Sequence, residues 1–475
     1  MTTPVELVAP ALGAVALATA LVAILRRGDG SMRAAAGPAA LACAAAWAAN
    51  VAITSTSFVE VLQLDAWESV SLVEHLRDGA FRFGSLWAAH NEHRPLTGRL
   101  VAMACAQFTD WNHWWEFGAL HVVAGLQVLV LAWYGARPGP AWRLSPAVLV
   151  AVASCFVATM HWETWLRGFS VHILLGVLAP SVAFLTLASH RAGWLTVLVA
   201  AAATMVGEMS FGASLLAWPL GAAVIALRGQ EQWRGHLLAW VFIGSVATLL
   251  YLPGLEIHPG ATANVAVAFG PTGLVRILAG ALVTIGMAAW YAPALFDGGA
   301  AWAQAAVVAA AGLAVLAWVG LLVRHWQHDT GRERVWLFPA ALGAFGLGAC
   351  LLVSAGRVAG GLHALAASRY LIFAACFWAS CLLLLGLHRE RGRPVPRVRA
   401  WGLALAVVAA MLANSIAAVP YMAREASRAR QARQQLTEGD VGAAAHVLYP
   451  DPYKLAHMRE VLRRHELSVF RRGAP

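Results

Sequence analysis

Residues 90 to 94, His-Asn-Glu-His-Arg, set two imidazoles, an amide, a carboxylate and a guanidinium side by side in a chain that is otherwise apolar. Groups of these types can share protons, fix one another by hydrogen bonds or grip a phosphate. His90 and His93 stand three apart, a spacing that suits a metal, but no third ligand accompanies them. A hydrogen-bonded network in which His90, Asn91, Glu92 and His93 order a polar segment explains the run equally well, with Arg94 left to meet a phosphate. Just upstream lie Glu60, Asp65 and Glu68. At a membrane edge such a carboxylate could take the proton of an acceptor hydroxyl. Spacing alone fits the polar face of a surface helix as well.

Other charged groups recur near the ends of apolar runs. Arg357 follows one run, Arg369 opens another within Ser368-Arg369-Tyr370, and Arg276 begins a third. Charge at a bilayer boundary is expensive and often purposeful, although long side chains also snorkel to headgroups. The turn around Trp162 and Glu163 adds His161, Arg167 and His172, and a later one adds Glu208 and Ser210. Among 21 tryptophans, Trp87, Trp111, Trp114 and Trp115 could stack on sugar rings, but interfacial belts use tryptophan in the same way.

The elements that must position these groups are membrane helices. The chain has 475 residues, 60% hydrophobic and only 12% charged, about half the charged share of a soluble protein. Apolar runs at 5–25, 38–55, 117–135, 144–161, 168–188, 193–207, 211–227, 235–253, 275–295, 302–323, 336–355, 367–387 and 400–419 each suffice for a span. The pattern predicts an all-α, polytopic transmembrane protein with about 12–13 membrane helices. Lys454 is the sole lysine, so the net charge of +10 is carried by arginines in short loops and the tail. That distribution marks topology and argues against a nucleic-acid partner. Six cysteines without a CxxC pair indicate neither zinc nor a disulfide framework. The first apolar run ends in Arg26-Arg27 and reads as a span in preference to a cleaved signal peptide.

Loops bearing Arg26, Arg27 and Arg33, Arg137 and Arg143, Arg191, Arg228 and Arg234, and above all 388–399, read as cytoplasmic. These assignments agree only if one central segment, 275–323 or 193–207, fails to cross. Both termini then lie outside, and the tail shares a compartment with the polar run at 90–94. Segment 56–116 forms a large external loop. Val61, Leu64, Trp67, Val70, Val73 and Leu76 give it an amphipathic helix lying on the membrane surface, ended by Gly79, with Asp65 and Glu68 on one face. A second helix runs from Arg94 to Phe108. Residues 1–34 form an extra N-terminal helix and basic loop, 35–420 the main transmembrane domain and 421–475 a helical tail. In that tail Asp451-Pro452 is an N-cap followed by a helix with Leu455, Met458 and Leu462 along one stripe.

The order Leu64-Asp65-Ala66-Trp67-Glu68, Leu86-Trp87 and His90-Asn91-Glu92-His93-Arg94 resembles uncharacterised bacterial polytopic membrane proteins of the GT-C glycosyltransferase type. Trp162-Glu163, Gly168-Phe169, Ser210-Phe211, Gly356-Arg357, Ser368-Arg369-Tyr370, Tyr449-Pro450 and Leu467-Ser468-Val469-Phe470 extend the likeness over about residues 38–470. The resemblance implies a bacterial plasma-membrane enzyme. It would transfer a sugar from a polyprenyl-phosphate donor to a cell-envelope glycan or lipid acceptor, on the external face and with inversion. It implies Asp65 as catalytic base with Glu68 assisting. Arg94, Arg357 and Arg369 would hold the donor phosphate, and His90, Asn91, Glu92, His93, Trp162 and Glu163 would order the site. Ala66 stands where the group often has a second acid, a departure that weakens any two-carboxylate or metal-dependent mechanism. No cofactor is called for, and a divalent metal is neither required nor barred. A transporter or flippase of a lipid-linked solute, which would carry ionisable residues in mid-span, and a non-catalytic envelope protein are the rival readings.

Overall fold

A computed structural model describes residues 4–27, 33, 35–90, 93–136, 144–189, 193–229, 231–255, 264, 266–293, 301–328, 334–387 and 397–472. The architecture is all-helical, and the chain is a multi-pass membrane protein. The helices are α1 (Pro4–Leu25), α2 (Ala36–Ser57), α3 (Ser69–Arg77), α4 (Leu96–Thr109), α5 (His113–Gly135), α6 (Pro146–Val157), α7 (Val171–Leu187), α8 (Trp194–Glu208) and α9 (Ala217–Arg228). There follow α10 (Trp233–Tyr251), α11 (Gly273–Ala289), α12 (Ala301–His328), α13 (Leu337–Ala355), α14 (Leu371–Leu387), α15 (Arg397–Glu438), α16 (Val441–Leu448) and α17 (Pro452–Arg464). Among the described residues nine helical segments are long and apolar enough to span a bilayer, and four shorter apolar ones accompany them.

Helical structure follows from the solvent. In hydrocarbon every backbone N–H and C=O must find its partner within the segment, which a helix provides. Without a hydrophobic drive between helices, their association relies on close packing. At Gly346 a Cβ atom would lie 2.6 Å from the Phe373 carbonyl oxygen, so only glycine lets α13 and α14 approach as they do.

Contacts at helix ends define two sides of the bundle. On one, the Tyr134 hydroxyl at the end of α5 donates to the Val335 carbonyl ahead of α13 (3.0 Å). On the other, termed the site side, the Glu163 N–H donates to the Ser368 hydroxyl (3.0 Å). Helix α11 has both ends on the site side. Near its start Ser354 donates to the Ile277 carbonyl (2.8 Å). At its end Asn414 donates to the Ala288 carbonyl (3.2 Å), and neighbouring Ser415 accepts from the Thr159 N–H (3.1 Å). Both its ends therefore face one side of the bundle, whereas α8 runs from one side to the other. Trp194 packs on His236 at one end of α8, and Met209 accepts from Thr97 at the other (3.3 Å).

Helix α15 has 42 residues, about 63 Å at 1.5 Å per residue and twice the hydrocarbon thickness. Its outer half leaves the bundle on the site side and, with α16 and α17, closes over residues 59–73 and 102–111. A second hydrophobic cluster results, in which Val61, Trp67, Val70 and Val73 meet Ala426, Ala429, Ala432, Leu436, Leu455 and Leu462. This corrects the expectation of a helix lying on the membrane surface: the apolar stripe is covered by the tail. The first turn of that stripe, Leu64–Glu68, is moreover a 3-10 turn, and the α-helix begins at Ser69. The tail N-cap forms as expected, Asp451 accepting from the N–H groups of Tyr453 (2.9 Å) and Lys454 (3.1 Å).

Candidate functional site

Asp65 is presented by strain on one side of it and an anchor on the other. Leu64 has φ +50°, a left-handed conformation that non-glycine residues adopt at a cost. Trp67 is fully buried and its indole donates to the Leu62 carbonyl (2.8 Å), closing the turn. Between them the Asp65 side chain stays 61% accessible, with Oδ1 3.6 Å from His90 Nε2. Partial burial works against its charge. The close His90 imidazole and the positive fields of Arg369 and His172 outweigh that, holding the carboxyl below the usual carboxylate range.

The histidines form one cluster. The backbones of His90 and His93 pair reciprocally, at 2.8 and 3.2 Å. The His93 ring is 6.0 Å from His90, 5.9 Å from His172 and 5.2 Å from Phe211, centroid to centroid. Burial, and then the nearby positive charges of His172, His90 and Arg357, push His93 down to about 3, so its imidazole is neutral near pH 7. Asn91 and Glu92 lie outside the described residues.

Arg94 takes a different part from the expected phosphate contact. It is buried, Nε donates to the Tyr251 carbonyl (2.8 Å), and Nη1 and Nη2 donate to the carbonyls of Trp87 and Pro253. The guanidinium also lies 5.3 Å from the Trp87 ring. Arg99 binds the flanking carbonyls of Leu86 (3.1 Å) and Ala88, so two arginines staple three successive peptides ahead of His90. The fork is consumed by backbone, which physically excludes the bidentate grip imagined from sequence. Arg94→Lys should therefore lower thermal stability in detergent by the equivalent of about 2–3 kcal/mol, the scale of a charged hydrogen bond. Affinity for an anionic ligand should change little, and a large loss of it would restore Arg94 to the site.

Arg369 and Glu163 are clasped. Glu163 accepts from the Arg369 guanidinium (3.1 Å), the Arg369 N–H (3.2 Å), the Ser368 hydroxyl (3.1 Å) and Arg167 (3.3 Å). Arg167 reaches Glu425 of α15 as well (3.6 Å). Trp162 orders the same turn by donating to the Tyr291 hydroxyl (2.6 Å). Arg357 and Arg369 lie over one ring, at 5.6 and 4.9 Å from the centroid of Tyr370. Arg357 is exposed and, among the described residues, has no carboxylate partner. Glu68 is engaged by the tail: its carboxylate accepts from the Tyr449 hydroxyl.

Asp65, His90, His93, Arg357 and Arg369 thus share one neighbourhood on the site side, with Trp162 and Glu163 behind Arg369. Arg94 and Glu68 stand apart as structural contacts. Among the described residues no three His, Cys, Asp or Glu side chains converge to hold a metal ion. Sequence reasoning passed over the roles of Arg99, Glu425 and Tyr449. Arg99, a charge inside an apolar helical run, was a readable signal; Glu425, one acid in an arginine-rich helix, was a weaker one. Compared with protein-family models, with curated proteins and with solved structures, the chain has no match.

Proposed function

We propose that this chain is a membrane glycosyltransferase of the GT-C type, moving a sugar from a polyprenyl-phosphate donor to a cell-envelope acceptor outside the bacterial plasma membrane. One observation carries the reading: an accessible, ionised carboxylate lies within the field of Arg369, which shares the Tyr370 ring with Arg357 at the boundary of a helical bundle. In the reaction the acceptor hydroxyl oxygen bonds to the anomeric carbon as the bond from that carbon to the phosphate oxygen breaks. Asp65 takes the hydroxyl proton, polyprenyl phosphate leaves with the electron pair, and attack from the opposite face inverts the centre. Its depressed pKa keeps the carboxylate ionised but makes it a weak base, so the proton moves late, once the half-bonded oxygen has become strongly acidic. Arg357 and Arg369 offset the charge that grows on the leaving phosphate.

Purified protein in nanodiscs, given a polyprenyl-phosphate donor with labelled sugar, should release polyprenyl phosphate and a glycosylated acceptor of inverted configuration. Movement of intact donor across vesicles without cleavage would overturn the reading in favour of a flippase. Arg357→Gln should raise the donor KM about 10- to 100-fold, as for a lost charge-assisted hydrogen bond. Steady-state kinetics at varied donor would show it.

A further inference from the structure

The turn that carries Asp65 is held from both flanks by the far end of the chain. On one flank Arg471 lies against Glu60 (2.9 Å), with only 13% and 4% of the two side chains accessible. On the other the Tyr449 hydroxyl donates to Glu68. Burial, and then the charge of Glu68 beside it, raise the Tyr449 phenol above its ordinary value, so it remains a donor. Between these two contacts sits Leu64 in its left-handed conformation. A strained residue keeps such a geometry only where its surroundings over-determine it. Here the surroundings come from residues some 380 to 410 positions away in the chain.

The tail does not depend on those two contacts for its own attachment. Leu455, Leu462 and Leu467 are fully buried in the second cluster. Ser468 donates its N–H to the Asp110 carbonyl (2.9 Å) and its hydroxyl meets His113 Nε2 (2.8 Å). Arg464 pairs with Glu74 (2.6 Å). The Tyr449 hydroxyl, whose ring belongs to that cluster, and the Arg471–Glu60 pair add to this attachment, and they touch the acids that bracket Asp65. The same helix that leads to the tail carries Glu425, 3.6 Å from Arg167, which shares Glu163 with Arg369.

We infer that the carboxy-terminal tail is the positioning element of the site, with Tyr449 and Arg471 setting the place of Asp65 relative to His90 and the arginines. The catalytic consequence rests on the glycosyltransferase reading; the mechanical one does not. The groups facing Asp65 are His90 and His93 beside it, His172 from α7, Arg369 from the start of α14 and Tyr449 from the tail. Releasing either flank should let Asp65 drift from this set without emptying the arginine pair.

The test compares wild type, Tyr449→Phe, Arg471→Gln and Arg471→Lys in nanodiscs, by amide hydrogen exchange and by transfer kinetics. In Tyr449→Phe, which removes one hydroxyl, exchange over residues 60–68 should quicken about tenfold, while α13 stays protected. Its kcat should fall by about the same factor with donor KM within about twofold. Arg471→Gln should do more, and Arg471→Lys should recover most of the loss. Unchanged exchange over 60–68 in both Tyr449→Phe and Arg471→Gln would overturn the positioning role whatever the activity. A loss expressed wholly in donor KM would overturn its catalytic part. Quickened exchange, together with a wild type that transfers no sugar, would uphold the positioning role and overturn only the glycosyltransferase reading.

Discussion

Asp65→Asn should cut sugar transfer by about 10²- to 10⁴-fold, the usual worth of a general base, while leaving the fold intact. The side chain is 61% accessible and asparagine matches its shape, so only the pairing with His90 is weakened. The pH profile separates this role from that of a merely polar surface acid. The folded-state pKa of Asp65 lies below its ordinary 3.8, so the reactive carboxylate persists as the pH falls past that value. No acid limb due to Asp65 should appear above about pH 4. The stability it lends through His90 is complete above the ordinary value and is lost only as the pH drops through the depressed one. His90→Asn weakens the pairing and should shift the acid limb upward toward 3.8. An Asp65→Asn protein with undiminished transfer across that range would remove Asp65 from the mechanism.

The membrane helices were legible because hydrocarbon imposes a length and an apolarity that can be counted along a chain. Charge bookkeeping even required a non-crossing segment, and α11 has both ends on one side. What could not be read was the partner of each face. Val61, Trp67, Val70 and Val73 mark an apolar stripe in any environment. Nothing in their spacing says that Ala426, Ala429 and Leu436 cover it in place of lipid. Arg94 fails to be legible for a related reason. Its donors are visible in sequence, but its acceptors are carbonyls of Tyr251 and Pro253, and every residue has a carbonyl. Asp65 and Arg369 were readable as candidates because exposed acid and boundary arginine are rare in so apolar a chain. Their nearness depended on the path of α14 and was not.

The tail sharpens what the charged groups have in common. Of the arginines nearest Asp65, Arg94 and Arg99 are spent on backbone, Arg167 and Arg369 are clasped by acids, and Arg357 has no carboxylate partner among the described residues. A phosphate entering near Tyr370 would meet Arg357 directly, but Arg369 only in the orientation Glu163 permits. That division assigns different consequences to changes at each arginine, and the sharpest concerns the acid that governs Arg369.

Glu163→Ala should cost about 3–5 kcal/mol of stability, because it leaves two guanidiniums at the bundle edge without their shared carboxylate. Arg167 retains Glu425, but Arg369 keeps no other ion pair of 4 Å or less among the described residues. Arg369 already feels Asp65, so once released it should turn toward that carboxylate. Transfer should then fall along with stability, since the base becomes tied to a cation that ought to face the phosphate. Glu163→Gln keeps the volume and can still accept from the Ser368 hydroxyl, so it should lose less stability but show the same kinetic defect. A double-mutant cycle resolves the two effects. Adding Arg369→Gln to Glu163→Ala should recover part of the lost stability, because the unpaired charge is gone, while transfer stays low for want of the phosphate contact. If the double variant is no more stable than Glu163→Ala, then Glu163 acts through Arg167 and Ser368 alone. Arg369 would in that case owe its place to Tyr370 and not to the acid.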